Sequence, residues 1–178
     1  LYLKTLIDIS KISSIYFLGI GGIGMSALAR YFNAKEIKVS GYDKTEAELK
    51  TQLQQEGSQI HFEDDINQLD KEANIIVYTP AIPTDHKEYN FYKTNNYNLL
   101  KRSDLLGLIT ESSFNICVAG THGKTSTSAM IAHILRHSGY GCNAFLGCIA
   151  TNYNPNFWIS EKNISVADAD EDDRNFLK

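Results

Sequence analysis

Short apolar runs alternate with longer amphipathic stretches along most of this chain. Ile15–Leu18 is the first such run and predicts a strand, with a helix after it over Met25–Asn33. Glu36–Ser40 predicts a second strand. Thr45–Glu56 predicts a helix, with Thr45 as its cap, Glu48 three residues on, and Leu49 and Leu53 sharing a face. Gln59–His61 predicts a short third strand, and Ala73–Tyr78, rich in branched residues, a fourth. Strand and helix in alternation predict an α/β fold: a Rossmann-like parallel sheet with flanking helices.

Pro80 and Pro83 bracket a rigid loop after the fourth strand. Asp85–Thr94 predicts a helix, Asn98–Leu100 an extended piece, and Ser103 the cap of a short helix through Leu108. A second unit begins near Thr110–Phe114, which divides the chain into residues 1–109 and 110–178. It has a strand ending at Ala119, a helix over Thr125–His137, a weak strand at Asn143–Leu146 and a late strand at Ile164–Ala167. Met130, Ile131, Ile134 and Leu135 are expected on one side of that helix. About three strands and one helix are too few for a sheet of usual size, so the second unit reads as the start of a P-loop-type α/β domain.

Composition narrows the class. The chain has 178 residues, 43% hydrophobic and 21% charged, enough to bury a core. The net charge of -4 and the lack of a basic run argue against a general nucleic-acid surface. No apolar stretch reaches membrane-spanning length and no signal-peptide pattern opens the chain, so no membrane insertion and a cytoplasmic location are expected. Cys117, Cys142 and Cys148 fit no zinc spacing and read as buried or half-buried free thiols, with Cys117 in a core strand.

Two glycine-rich turns carry the chemistry. Gly19-Ile-Gly-Gly-Ile-Gly24 follows the first strand, with Gly19, Gly21 and Gly24 at the dinucleotide-fingerprint spacing. Free amides at the start of the next helix would face a diphosphate. Asp43 lies about 20 residues on, where a carboxylate can accept a ribose hydroxyl. NAD or FAD, a sugar nucleotide, and a tight turn without ligand all satisfy this pattern, and Asp43 can equally end a surface strand.

The second turn, Gly120-Thr-His-Gly-Lys-Thr125, is a shortened relative of the P-loop and matches it from Gly123 onward. Backbone donors there cradle a phosphate, Lys124 reaches phosphate oxygens, and the Thr125 hydroxyl suits Mg²⁺. His122 either contacts phosphate or covers the loop. Thr127 and Ser128 either add donors or tie down the first helical turn. Asp168, Asp170, Glu171, Asp172 and Asp173 follow the late strand. That run is either solvated surface or, at Asp168, a carboxylate facing the metal held by Thr125.

Four segments in order, Phe17–Ala29, Tyr78–Pro83, Ala119–Thr127 and Asp168–Phe176, make the chain resemble the Mur ligase family. The resemblance is strongest to members that attach L-alanine to UDP-N-acetylmuramate. It covers nearly the whole chain and implies the first of three domains plus the opening of the ATP-binding central one. It implies that Gly21, Gly22, Ile23 and Gly24 hold the UDP diphosphate rather than NAD. Asp43 would then lie near the uridine, and Ala81 and Ile82 would line the same cleft. Gly120, Thr121, Gly123, Lys124, Thr125 and Ser126 would hold ATP. Lys124 and His122 would stand beside the reacting phosphates, and Thr125 and Asp168 would hold Mg²⁺.

Three positions depart from the family pattern. Asp168 replaces a usual glutamate, Cys148 stands where a second glycine is common, and Ser126 replaces a threonine. A family ligase adding another amino acid or peptide, a nicotinamide oxidoreductase, and a non-catalytic UDP-sugar-binding module remain alternatives. Monomer and homodimer are both compatible with the sequence.

Overall fold

The computed structural model describes residues 7–46, 48–111, 113–148 and 156–168. The acidic positions Asp170, Glu171, Asp172 and Asp173 lie outside them.

The first sheet contains β1 (Ser14–Leu18), β2 (Lys38–Tyr42), β3 (Gln59–His61), β4 (Ile75–Tyr78) and β5 (Leu99–Lys101), in the order β3-β2-β1-β4-β5. All its pairings are parallel. Around it run α1 (Ile23–Asn33), α2 (Glu48–Gln55), α3 (Lys87–Thr94) and α4 (Arg102–Glu111). β1 is central and buried throughout, as its unbroken apolar run requires. Ile15 and Phe17 join one core, with Leu28, Phe32 and Leu105, while Tyr16 and Leu18 join another, with Ile76 and Tyr92.

The second sheet contains β6 (Phe114–Val118), β7 (Asn143–Phe145), β8 (Phe157–Trp158) and β9 (Ile164–Asp168), in the order β6-β9-β7-β8. β9 pairs parallel with β6 and β7, and β8 pairs antiparallel with β7. The long helix α5 (Lys124–His137) packs on this sheet through Ala132, Ile131 and Leu135.

Helix α1 joins the two sheets. Phe145, Phe157 and Ala167 of the second sheet share a core with Ala27, Leu28 and Tyr31 of α1. The Tyr31 ring stands 5.6 Å from Phe145 and 6.0 Å from Phe157. Buried Asn156, just before β8, accepts from Arg30 Nη1 at 2.6 Å and donates to Ser26 Oγ at 2.9 Å. Arg30 also grips Glu56 through Nε at 3.1 and 2.9 Å.

Four expectations are corrected. β2 runs through Gly41 to Tyr42, because Gly41 pairs with Phe17 where a side chain would strike the Phe17 carbonyl. Glu46 lies outside any helix, so Thr45 does not cap α2; the Thr45 hydroxyl accepts from Lys50 Nζ instead, at 3.0 Å. On α5, Met130 and Ile134 are exposed, and the small residues Ser128 and Ala132 give the closest approach. Cys117 is exposed because β6 edges its sheet, whereas Cys142 is buried and Cys148 half-buried; all three thiols are free.

Candidate functional site

The strand order reverses direction between β1 and β4, and a cavity of about 710 Å³ opens over the carboxyl ends of these strands. Each strand end sends one segment to its wall. Gly19, Gly22, Gly24 and Met25 follow β1; Asp43 and Lys44 follow β2; Thr79, Ala81, Ile82 and Pro83 follow β4; Arg102 follows β5.

The turn after β1 is anchored before it reaches the cavity. The amides of Gly19 and Ile20 donate to the Tyr42 carbonyl at 2.8 and 3.1 Å. Gly22 stands at the cap of α1, and among the described residues no side-chain capping bond reaches the amides of its first turn. These donors stand at the positive end of the helix, where an anion is favoured.

Asp43 is already engaged. Its Oδ2 accepts from the Gly21 amide at 2.8 Å, and its Oδ1 accepts from buried Lys50 Nζ. The carboxylate therefore fixes the turn, and its remaining lone pairs can still face a ligand. The Lys50 stem lies where a side chain on Gly21 would project. Gly21 does not line the cavity, and Ile23 lines a neighbouring one.

A buried polar network supports the far wall. Glu88 is fully buried and accepts from Tyr16 Oη at 2.6 Å and from the Asp65 amide at 3.2 Å, with His61 Nε2 at 2.8 Å. Burial and the Glu88 charge push the Tyr16 hydroxyl far above its ordinary range, so it stays a donor. Asp64 caps the amides of Lys87 and Glu88 at 2.9 and 3.1 Å, and buried His86 stands beside it. Asp64, His86 and Lys87 all line the cavity.

The second glycine turn lies at the start of α5. Gly123 caps this helix with φ 79°, a left-handed conformation that glycine adopts without penalty, and no side-chain capping bond is made there among the described residues. Lys124 Nζ arches back to the Gly120 carbonyl at 2.6 Å. Gly120, Thr121, His122 and Ser126 are exposed around it.

Asp168, at the end of β9, meets this helix. It accepts from Thr125 Oγ1 at 2.9 Å, from Ser128 Oγ, and from the Gly147 amide at 2.9 Å. A Cβ on Gly147 would come within 2.7 Å of Asp168 Oδ2, so the backbone must be bare there. Thr125 and Asp168 together offer hard oxygen donors of the kind Mg²⁺ takes while it keeps waters and phosphate oxygens. Among the described residues no group of three or more His, Cys, Asp or Glu could hold a metal ion.

Thr125, Gly147 and Asp168 line a smaller cavity of about 280 Å³ between the sheets, together with Ile23, Gly24 and Arg102. Gly24 and Arg102 therefore border both cavities. Lys50, Arg102 and Asn156 escaped the sequence reading. Lys50 and Arg102 sit in ordinary helical contexts, and Asn156 in a loop, so none carried a local signal.

The family model for the Mur ligase family, catalytic domain, matches residues 14–113, more than half of the chain. The chain belongs to the Mur ligase family. Mur ligases are ATP-dependent ligases. The family match spans the first sheet and its cavity and stops just before β6.

Among curated Mur ligases, the chain is 50% identical over 168 residues to a UDP-N-acetylmuramate–L-alanine ligase of Porphyromonas gingivalis, covering 91% of this chain and 37% of that protein. It is 48% identical over 174 residues to the same-named ligase of Flavobacterium johnsoniae, covering 96% and 39%. The chain thus spans under two fifths of these relatives. Among solved Mur ligases, a UDP-N-acetylmuramate–alanine ligase of Thermotoga maritima matches with a TM-score of 0.78 and 29% identity, covering 87% of this chain and 36% of that one. A UDP-N-acetylmuramate:L-alanyl-gamma-D-glutamyl-meso-diaminopimelate ligase of Neisseria meningitides matches with a TM-score of 0.82 and 25% identity, covering 90% and 53%. Among the described residues no helix is long and apolar enough to cross a membrane.

Proposed function

We propose that this chain supplies the UDP-N-acetylmuramate site and the phosphate-binding turn of an enzyme that joins L-alanine to that sugar nucleotide at the expense of ATP, in peptidoglycan precursor synthesis in the cytoplasm. Residues 1–109 form the UDP-sugar unit, and residues 110–178 open the ATP-binding unit. The observation that carries this reading is the placing of the two uncapped helix starts. α1 begins in the larger cavity, α5 begins at the smaller one, and Gly24 borders both.

The diphosphate lies against the amides of Gly22, Ile23 and Gly24, with Ala81 and Ile82 along the nucleoside. Lys124 leaves the Gly120 carbonyl and turns to the β- and γ-phosphates of ATP, an exchange of one acceptor for a more highly charged one. Thr125 and Asp168 would hold Mg²⁺, which would supply positive charge to offset that of the phosphates.

The substrate carboxylate attacks the γ-phosphorus, giving an acyl phosphate and ADP. The amine of L-alanine attacks the acyl carbon, loses a proton, and phosphate leaves. The chain contributes position and electrostatic complement and no covalent nucleophile.

The test is ADP release by the full-length protein with UDP-N-acetylmuramate and ATP–Mg²⁺. L-alanine should support turnover and D-glutamate or a tripeptide should not. Turnover with either of those instead, or tight NADH binding without nucleotide use, would overturn the reading.

A further inference from the structure

We propose that Arg102 is the residue that selects a carboxylate-bearing sugar nucleotide, by holding that carboxylate at the passage between the two cavities. The inference rests on the reading of the larger cavity as a UDP-sugar site.

Three observations lead to it. Arg102 is the first residue of α4, directly after β5, so the backbone of an ordered strand fixes its origin. Its guanidinium lies against the backbone of Gly24: a Cβ there would fall 2.8 Å from Nη1 and 3.2 Å from Cδ. With Gly24 it borders both cavities, so it stands where a ligand anchored at the start of α1 must pass to reach Thr125 and Asp168.

Charge decides what Arg102 is for. The smaller cavity is walled by apolar side chains, the Gly147 backbone, the Thr125 hydroxyl and the Asp168 carboxylate. A second carboxylate entering that space meets repulsion from Asp168. Arg102 is the only cationic side chain among the described residues that line it. A guanidinium presents a planar fork that takes both oxygens of a carboxylate. The amides at the start of α1 suit a diphosphate, and Arg102 stands beyond them at the border of the smaller cavity, where the acidic group further along the ligand would come to lie.

The two functions separate by choice of ligand. UDP-N-acetylmuramate and UDP-N-acetylglucosamine share uridine, diphosphate and sugar, and differ in the lactyl carboxylate. Equilibrium titration of the full-length protein with each should show tighter binding of the first. Arg102→Met should weaken UDP-N-acetylmuramate about tenfold or more and leave UDP-N-acetylglucosamine within about twofold. Arg102→Lys, which keeps the charge without the fork, should restore part of the difference. Arg102→Gln repeats the comparison if the methionine variant does not fold.

Equal weakening of both ligands would place Arg102 on the shared diphosphate and overturn the proposal, as would no change with either. Failure of the unaltered protein to bind either sugar nucleotide would overturn the underlying reading and this one with it. Binding of both with no preference would overturn this one alone.

Discussion

The Thr125 hydroxyl donates to Asp168 across 2.9 Å, tying the first turn of α5 to the end of β9. Two elements separated by 43 positions in sequence thereby present a hydroxyl and a carboxylate side by side. Ser128 and the Gly147 amide donate to the same carboxylate, so it organises three segments at once. Asp168→Ala should therefore cost stability as well as nucleotide binding. Part of the group is open to solvent, which limits the loss to about 1–2 kcal/mol. Urea unfolding of the variant against the unaltered chain checks the first effect, and titration with ATP–Mg²⁺ the second.

Gly147→Ala should disturb the same site without touching the first sheet. The added methyl would lie 2.7 Å from Asp168 Oδ2, too close for the carboxylate to stay, while Thr125 Oγ1 at 3.4 Å is an ordinary contact. ATP–Mg²⁺ binding should weaken about tenfold or more, while binding of UDP-N-acetylmuramate holds. Parallel titrations with the two ligands measure the difference.

Asn156→Ala should loosen the joint between the two sheets. It removes the acceptor for Arg30 Nη1 and the donor to Ser26 Oγ inside a closed interface. Hydrogen bonds to a buried charged group contribute about 1.5–3 kcal/mol. Thermal unfolding should show that loss, and amide exchange should rise in α1 before it rises in β4.

Acid should unfold the protein partly through Asp70. Burial raises its pKa, but hydrogen bonds from Lys38 Nζ, Ser14 Oγ and the Glu72 amide outweigh burial and hold it below the usual carboxylate value. A carboxyl depressed in the folded state adds stability above its unfolded pKa, about 3.9, and that stability is lost as pH falls through the folded value. Asp70→Asn should therefore lower stability at neutral pH and flatten its decline below about pH 4. Denaturant midpoints measured across that range give the slope directly.

Much of this arrangement was legible in the sequence, for reasons that differ by element. β1 and β4 announce themselves as dense apolar runs because they are buried on both faces. The glycine turns were readable because φ values and bare amides leave few residue choices. β2 was misplaced because Gly41 looks like a break, and only its register against Phe17 explains it. The exposed side of α5 was misread because a helix that packs through Ser128 and Ala132 carries its larger apolar residues on the flanks. β8 was not read at all, since two residues give no period. Asp168 drew attention by its place at the end of a strand, whereas Lys50 and Asn156 act through partners 5 to 133 positions away and Arg102 through a cavity wall. Such partners are fixed by tertiary structure alone.

The most direct test of two separate phosphate sites is amide chemical-shift mapping of the ¹⁵N-labelled chain. UDP-N-acetylmuramate should move the amides of Gly22, Ile23 and Gly24 and leave those of Gly123, Lys124 and Thr125 nearly still; ATP–Mg²⁺ should do the reverse. Both ligands moving one common set of amides, or neither helix start responding, would contradict the account.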